Sequence, residues 1–334
     1  MFSSVPRESD GFINEEYKKY QVKTSIHHWQ LRDMISATDT PYEVIYVYAN
    51  SINLLNTKTE RTHTVARNLL FNPTSICYSD GIVGAGGQRS QLFIKNILTG
   101  VDRKVSTGGS INNGLEIFSH FGEKRILVCN NDETIKEYSI ECMRKRATIF
   151  HQSPVNSCSV NNDGKILATV GDSNEVSLYS VGREKYPLIK RVKAMNDASF
   201  KASWSPSGTH LAVGTQDGYV CVYDIRNMEQ KIQTIPSIQS PLVKGACRNV
   251  KFCPDVTMDV LAFTEHVSHF TLVDIRDFGK KQSISIGGPS GDKHVSGMAF
   301  GEEGKKLYIG TEMVIYEFEI DSIGRRLFHC GELN

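Results

Sequence analysis

Two short stretches carry the residue types best suited to recognition chemistry, Arg248-Asn249 and, further on, Glu265-His266. An arginine presents a planar fork of N–H donors that matches a carboxylate or a backbone carbonyl. The competing role for Arg248 is an ion pair with Glu265 or Asp274 that braces the local structure. A glutamate such as Glu265 can accept the N-terminal ammonium of a peptide, a recurrent capture mode, or serve as an acceptor within its own turn. His294, Asn156, Asn112, Asn113, Asn196 and Asp197 precede other apolar runs at comparable places. They read either as solvated loop residues or as a shared polar rim. Phe200-Lys201 falls beside them, and an aromatic side chain there could anchor a partner.

Catalytic and cofactor chemistry finds no foothold. There is no Gly-x-Ser-x-Gly and no His-Glu-x-x-His, and no nucleophile stands beside an evident base. Gly84-Ala85-Gly86-Gly87 and Gly287-Gly288-Pro289-Ser290-Gly291 do not open a helix, so they are not phosphate loops. His27-His28 precedes Trp29 in an expected first strand and lacks further ligands, so packing is the expected role. None of the eight cysteines forms a Cys-x-x-Cys pair, and no histidine cluster has zinc spacing. No cofactor and no metal are expected.

The elements that must position these residues are short strands. Ala198–Ile232 holds three clear strand candidates, and Lys231 to Ile235 reads as a weaker fourth. Phe200, Ala202 and Trp204 alternate toward the turn Ser205-Pro206-Ser207-Gly208. His210 to Gly214 ends at Thr215-Gln216-Asp217-Gly218, and Tyr219 to Tyr223 alternates again. Strands bounded by such clusters form an antiparallel meander. A single four-stranded sheet leaves its faces unburied, and the unit recurs. Second-strand anchors fall at Val44, Ile82, Ile126, Ile166, Leu211, Leu261 and Leu307, spaced 38 to 50 residues apart. That is close to the ~40–45-residue period of a propeller blade. The expected fold is all-β, a seven-bladed β-propeller of four-stranded antiparallel blades. The blades are placed at about 26–68, 69–108, 109–151, 152–195, 196–242, 243–287 and 292–332. Residues 1–20 read as a polar tail, with Tyr20–Ser25 able to pair with the far end of the chain. Glu15–Lys23 comes nearest to a helical period.

Composition is that of an ordinary globular chain, 40% hydrophobic and 22% charged. With 38 basic and 37 acidic residues, the chain lacks the excess that nucleic-acid binding demands. No apolar run approaches a membrane span or a signal region. Cysteines within apolar strands point to a reduced, cytosolic or nuclear protein.

The fifth unit, with WSPSG, LAVGTQDG and VCVYD, resembles the WD-repeat family. Tyr223 stands where the family has its Trp, and the family's Gly-His opening is missing from every unit. In that family a His, a Ser/Thr, an Asp and the Trp form a hydrogen-bonded structural set. Thr215 and Asp217 match two of its positions, and Asp172 and Asp132 match the Asp in units four and three. Without the His, the resemblance implies a network built differently, and Glu265 could replace the absent structural Asp. The sixth unit, CRNVKFCP followed by DVLAFTEH and VDIRDF, resembles a short domain of unknown function found in fungal WD-repeat proteins. Some relatives of that group are substrate receptors of the GID (CTLH) ubiquitin ligase and recognise N-terminal degrons.

On a propeller, Arg248 and Asn249 belong at the rim of the central channel, with Glu265-His266 on the same face. The resulting expectation is a non-catalytic protein-interaction scaffold. In its sharper form it is a ubiquitin ligase substrate receptor, with ligase subunits among its partners, that binds a peptide or an N-terminal degron on the top face. Two alternatives stand beside it. One is a phosphoinositide-binding propeller using Arg325-Arg326; the other is an enzyme working in the central channel.

Overall fold

Each repeat folds as an up-and-down sheet because its apolar residues alternate and its turns carry residues that tolerate the required backbone. Gly164 and Gly208 close equivalent turns after the first strands of blades four and five, with φ of 71° and 70°. Glycine adopts this left-handed conformation without a Cβ clash. The computed structural model describes residues 11–238, 245–287 and 291–321. Over these residues the strands form seven four-stranded sheets. With strands numbered in chain order, the innermost are β2 (Ile35–Ala37), β6 (Pro73–Ser79), β10 (Asn112–His120), β14 (Val155–Val160), β18 (Ser199–Trp204), β22 (Cys247–Phe252) and β26 (Val295–Gly301). Neighbouring strands within each sheet pair antiparallel.

The core lies between blades rather than within them. One cluster joins Ala168, Val170 and Leu178 of blade four to Ala202, Trp204 and Tyr223 of blade five. Trp204 donates from Nε1 to the Ser159 carbonyl at 3.0 Å, and the Tyr223 hydroxyl donates to the Lys193 carbonyl at 3.1 Å. Tyr223 thus spans the same junction through a backbone carbonyl, without the histidine of the family's network. Each sheet buries both faces only because a neighbour covers it, so the ring stands or falls as a unit.

Ring closure departs from the sequence expectation. β1 (Ile13–Tyr20) is the outer strand of blade seven and pairs antiparallel with β28 (Ile315–Ile320), from Ile13 opposite Ile320 to Tyr20 opposite Ile315. The polar tail expected over 1–20 is corrected from residue 13 onward, as is the short helix weighed at Glu15–Lys23. The strand shows weak alternation because Tyr17 lies on its outer side, against Phe318 at 5.4 Å. Its anchors are Phe12, fully buried, and Tyr20, whose hydroxyl donates to Glu317 Oε2 at 2.8 Å. Burying one such aromatic side chain contributes about 2 kcal/mol. The end of the seventh expected unit, residues 322–332 with Arg325-Arg326, lies outside the described residues. A second correction concerns His27-His28-Trp29. The first strand of blade one begins only at Ile35, and residues 21–34 form an irregular segment before it.

Candidate functional site

The rim of the channel is shaped by a feature repeated in six blades. In β6, β10, β14, β18, β22 and β26 the pairing with the next strand slips by one residue near the strand's start. The extra residues are Thr74, Asn113, Asn156, Phe200, Arg248 and Ser296. A bulge re-aims the side chain it carries. Its trace is in the apolar spacing: Val155 and Cys158, Cys247 and Val250, and Val295 and Met298 share a core cluster although they stand three apart. A regular strand returns to the same face after two residues. Phe200 is an instance: simple alternation puts it with Ala202 and Trp204, but the bulge turns it out of their cluster.

Four of the six bulged side chains are held by hydrogen bonds. Thr74 Oγ1 donates to the Asn112 carbonyl at 2.9 Å, Asn113 Nδ2 to the Val155 carbonyl at 3.0 Å, and Asn156 Nδ2 to the Ser199 carbonyl at 3.1 Å. Each of these three bonds runs to the next blade. Asn156 Nδ2 also donates to Asp172 at 2.9 Å, and Thr24 Oγ1 donates to Ser296 Oγ at 2.7 Å. The other two behave differently. Phe200 is a hydrocarbon ring, and Arg248 places its guanidinium carbon 4.0 Å from that ring's centroid. Arg248 is only 8% exposed, yet its Nε and Nη1 are buried without a hydrogen-bond partner among the described residues. It pairs with neither Glu265 nor Asp274, correcting the bracing role. Glu265 Oε1 instead accepts the Ile238 N–H at 2.7 Å, and Asp274 accepts from Arg276 at 2.9 Å.

The irregular segment before β2 completes the rim. Backbone bonds from Thr24 to Glu312 and from Ser25 to Val47 tie it to blades seven and one, and Gln88 Nε2 holds the His27 carbonyl at 2.6 Å. This anchoring sets Trp29, 65% exposed, with its ring centroid 5.9 Å from the Arg248 guanidinium. His28 stacks on Trp29. Arg32 turns back on its own segment, donating from Nη1 to the His28 and Leu31 carbonyls at 2.7 and 3.0 Å, and its Nε is left without a partner among the described residues. Below the rim Asp33 reaches across the channel from blade one. Its carboxylate accepts Lys201 of blade five at 2.6 Å and Lys251 of blade six at 3.2 Å.

The electrostatics of the two levels contrast. Burial pushes Asp33 up, but Lys201 and then Lys251 outweigh it and hold the carboxyl down at about 2. Glu116, further round the channel on β10, is pushed up to about 7 by burial because the same lysines compensate it incompletely. At the rim, burial lowers Arg248 to about 10 and Arg32 adds to the effect, while burial lowers Arg32 itself to about 10. Burial, then Arg32 and Arg248, press His266 down to about 4. Its ring lies 5.4 Å from that of His294, which is exposed. Glu265, 3% exposed, is pushed up to about 7 by burial. The rim therefore concentrates cations with little acidic compensation.

The residues singled out in the sequence separate accordingly. Arg248, Phe200, His266 and His294 come together at the mouth, joined by Trp29, Arg32 and His28, whose role the sequence reading missed. Asn249 lies just beneath, its Nδ2 donating to the Arg32 carbonyl at 3.1 Å. Lys201 belongs to the bridge with Asp33, and Asn156 to the hydrogen-bonded part of the ring, so neither presents a free group at the mouth. Asn112 and Asn113 are buried rather than solvated. Asp197 is half-buried and accepts the Ala198 N–H at 2.8 Å. Of the turn residues, Thr215 donates to Asp217 at 2.6 Å, and Asp217 accepts the Asn196 N–H at 3.2 Å. Asp132 accepts Thr134 and Lys136, and Asp172 accepts Asn156. No group of three or more His, Cys, Asp or Glu side chains that could hold a metal occurs among the described residues. On the opposite face, a cleft of about 630 Å³ between blades two and three is lined by Ile82, Ile94, Val101 and Phe121.

Comparison with known proteins agrees with this architecture. Residues 143–180 and 194–224 match the WD domain, G-beta repeat, and residues 245–285 match an uncharacterised protein domain covering the segment singled out in blade six. An uncharacterized protein of Schizosaccharomyces pombe is 30% identical over 333 residues, covering 95% of this chain and 94% of that one. An uncharacterized protein of Saccharomyces cerevisiae is 22% identical, and the match spans 80% of this chain but only 54% of that longer protein. Among solved structures, a chain of a mitotic checkpoint complex superposes with a TM-score of 0.78 at 14% identity, covering 95% of this chain and 96% of that one. At that identity the likeness is one of fold. The chain belongs to the WD-repeat family of β-propellers.

Proposed function

We propose that this propeller is a non-catalytic interaction scaffold that receives a peptide segment of a partner protein at the channel mouth. Interaction scaffolding is the usual work of the WD-repeat architecture, in which function sits on loops carried by a rigid ring. One observation carries the choice of face. Four of six bulged rim residues make hydrogen bonds that hold the structure, whereas Phe200 and Arg248 stack on each other and leave polar edges unmet beside the exposed Trp29. An aromatic–arginine cluster in a desolvated recess is the usual composition of a binding hot spot.

The test is photo-crosslinking in cells from p-benzoylphenylalanine placed at Trp29, with Phe121 on the opposite face as control. Discrete protein adducts specific to Trp29 are expected. No adducts there, or the same set from both positions, overturns the reading. A narrower version makes the partner a substrate and the chain a ubiquitin ligase receptor. Its support is the sequence resemblance of blade six and the uncharacterised domain matched there. Affinity purification followed by mass spectrometry should then recover ligase subunits, and their absence removes this version while leaving the scaffold.

A further inference from the structure

Going one step beyond the peptide-receptor reading, and resting on it, we infer that the mouth is a site for an oxyanion carried by that peptide, a carboxylate or a phosphoryl group, gripped by Arg248 and Arg32. Four observations converge. Arg248 is more than nine-tenths buried, and two of its three guanidinium nitrogens lack a partner among the described residues. Its orientation is fixed, because the Phe200 ring lies 4.0 Å from the guanidinium carbon. Stacking uses the guanidinium's face and leaves its in-plane donors to the ligand, the geometry that suits a two-oxygen anion.

Arg32, 4% exposed, supplies the second cation. Its Nη1 is engaged by backbone carbonyls, while Nε is unpartnered among the described residues. Burial makes charge costly on both guanidinium groups, and at Arg248 the nearby Arg32 adds to that cost. An anion entering between them would relieve it.

Among the described residues, the protein's own carboxylates do not fill this role. Asp33 is shared by Lys201 and Lys251, Glu265 is buried and held by the Ile238 N–H, and Asp197 accepts its neighbour's N–H. Among the described carboxylates, Asp197 offers Arg248 a favourable field. Glu312 does the same for Arg32. His266 adds a buried Nδ1 that has no partner among the described residues and can donate or accept according to its tautomer. This balance also weighs against the capture of an N-terminal ammonium by Glu265, since two arginines would repel that charge.

The chain carries its own reporter. Of its two tryptophans, Trp204 is buried with Nε1 bonded to Ser159, so a change in emission on binding comes from Trp29. The probes are three pools of seven-residue peptides, free of Trp and Tyr, degenerate except for a central Glu, phosphoserine or Gln. Titrated into the purified full chain, the Glu or phosphoserine pool should perturb Trp29 emission at a concentration at least tenfold lower than the Gln pool. Whichever of the two is stronger identifies the anion. Arg248→Gln and Arg32→Gln should each erase the preference, and Arg248→Lys, which keeps the charge without the fork, should retain part of it. Circular dichroism checks that each variant is folded. Equal response to the Gln pool, a preference unchanged in Arg248→Gln, or no response to any pool overturns the anion site. Crosslinking at Trp29 remains the separate judge of whether the mouth receives protein at all.

Discussion

The rim has two parts built on one plan with opposite outcomes. In blades two to four the bulged residues Thr74, Asn113 and Asn156 reach forward and bond a carbonyl of the next blade. In blades five and six the same geometrical position holds Phe200 and Arg248, which make no such bond and stack together instead. A buried polar group that is hydrogen-bonded secures structure, and one that is not costs stability unless something else meets it. The first part therefore reads as joinery between blades and the second as a surface awaiting a partner.

Breaking the layer beneath the second part should have the largest effect. Asp33→Ala leaves Lys201 and Lys251 facing each other in the channel, and a loss of about 3 kcal/mol is expected from urea unfolding. Because the folded Asp33 titrates near 2, below its ordinary range, this stabilisation is complete above about pH 4. It fades as pH falls toward 2, so wild type and variant should converge in acid.

Asn156→Ala tests the joinery directly, since it strips the Ser199 carbonyl and Asp172 of a donor. A loss of about 2 kcal/mol is expected, with binding at the mouth unchanged. Equal stability of variant and wild type would dissolve the distinction between the two parts.

Glu116 lies on the wall of the first part and is only incompletely compensated by lysines of the second. Its folded-state titration near 7, against an ordinary 4.5, means that ionisation costs stability as pH rises through that interval. Glu116→Gln should therefore stabilise the protein by about 1–2 kcal/mol more at pH 8 than at pH 5. A pH-independent effect would show that water in the channel solvates the carboxylate.

Arg248→Met should have the smallest effect on stability, within about 1 kcal/mol of wild type, because removing an unpaired buried cation relieves a cost while keeping the stack on Phe200. It should also soften acid sensitivity. His266 titrates near 4 when folded and nearer 6.5 when unfolded, so the unfolded chain takes up the proton first and stability falls as pH drops between these values. Without Arg248 that decline should shrink. A strongly destabilised Arg248→Met would instead make Arg248 part of the joinery.

Much of the rim could have been traced in the sequence. The three-residue spacing of Val155 and Cys158, Cys247 and Val250, and Val295 and Met298 marks the bulges, once regular alternation is not assumed. Simple alternation groups Phe200 with Ala202 and Trp204, whereas its place beside the rim residues already marked it as a candidate anchor. The roles of Trp29, Arg32 and Asp33 were harder to see, because nothing local marks an irregular segment as crossing a channel.

The sequence by itself determined the repeating unit: short alternating strands, glycine-bearing turns and a recurrence of 38 to 50 residues, all consequences of local backbone and side-chain preferences. Tertiary structure alone decided which strand closes the ring and which charges meet. Ile13 pairs with Ile320, and Lys201 finds Asp33 across 168 residues of chain. Such pairings depend on how seven blades curve back on themselves, and no local pattern records that curvature. The same closure leaves Arg248 without a carboxylate partner among the described residues and turns it from an expected brace into the centre of the proposed site.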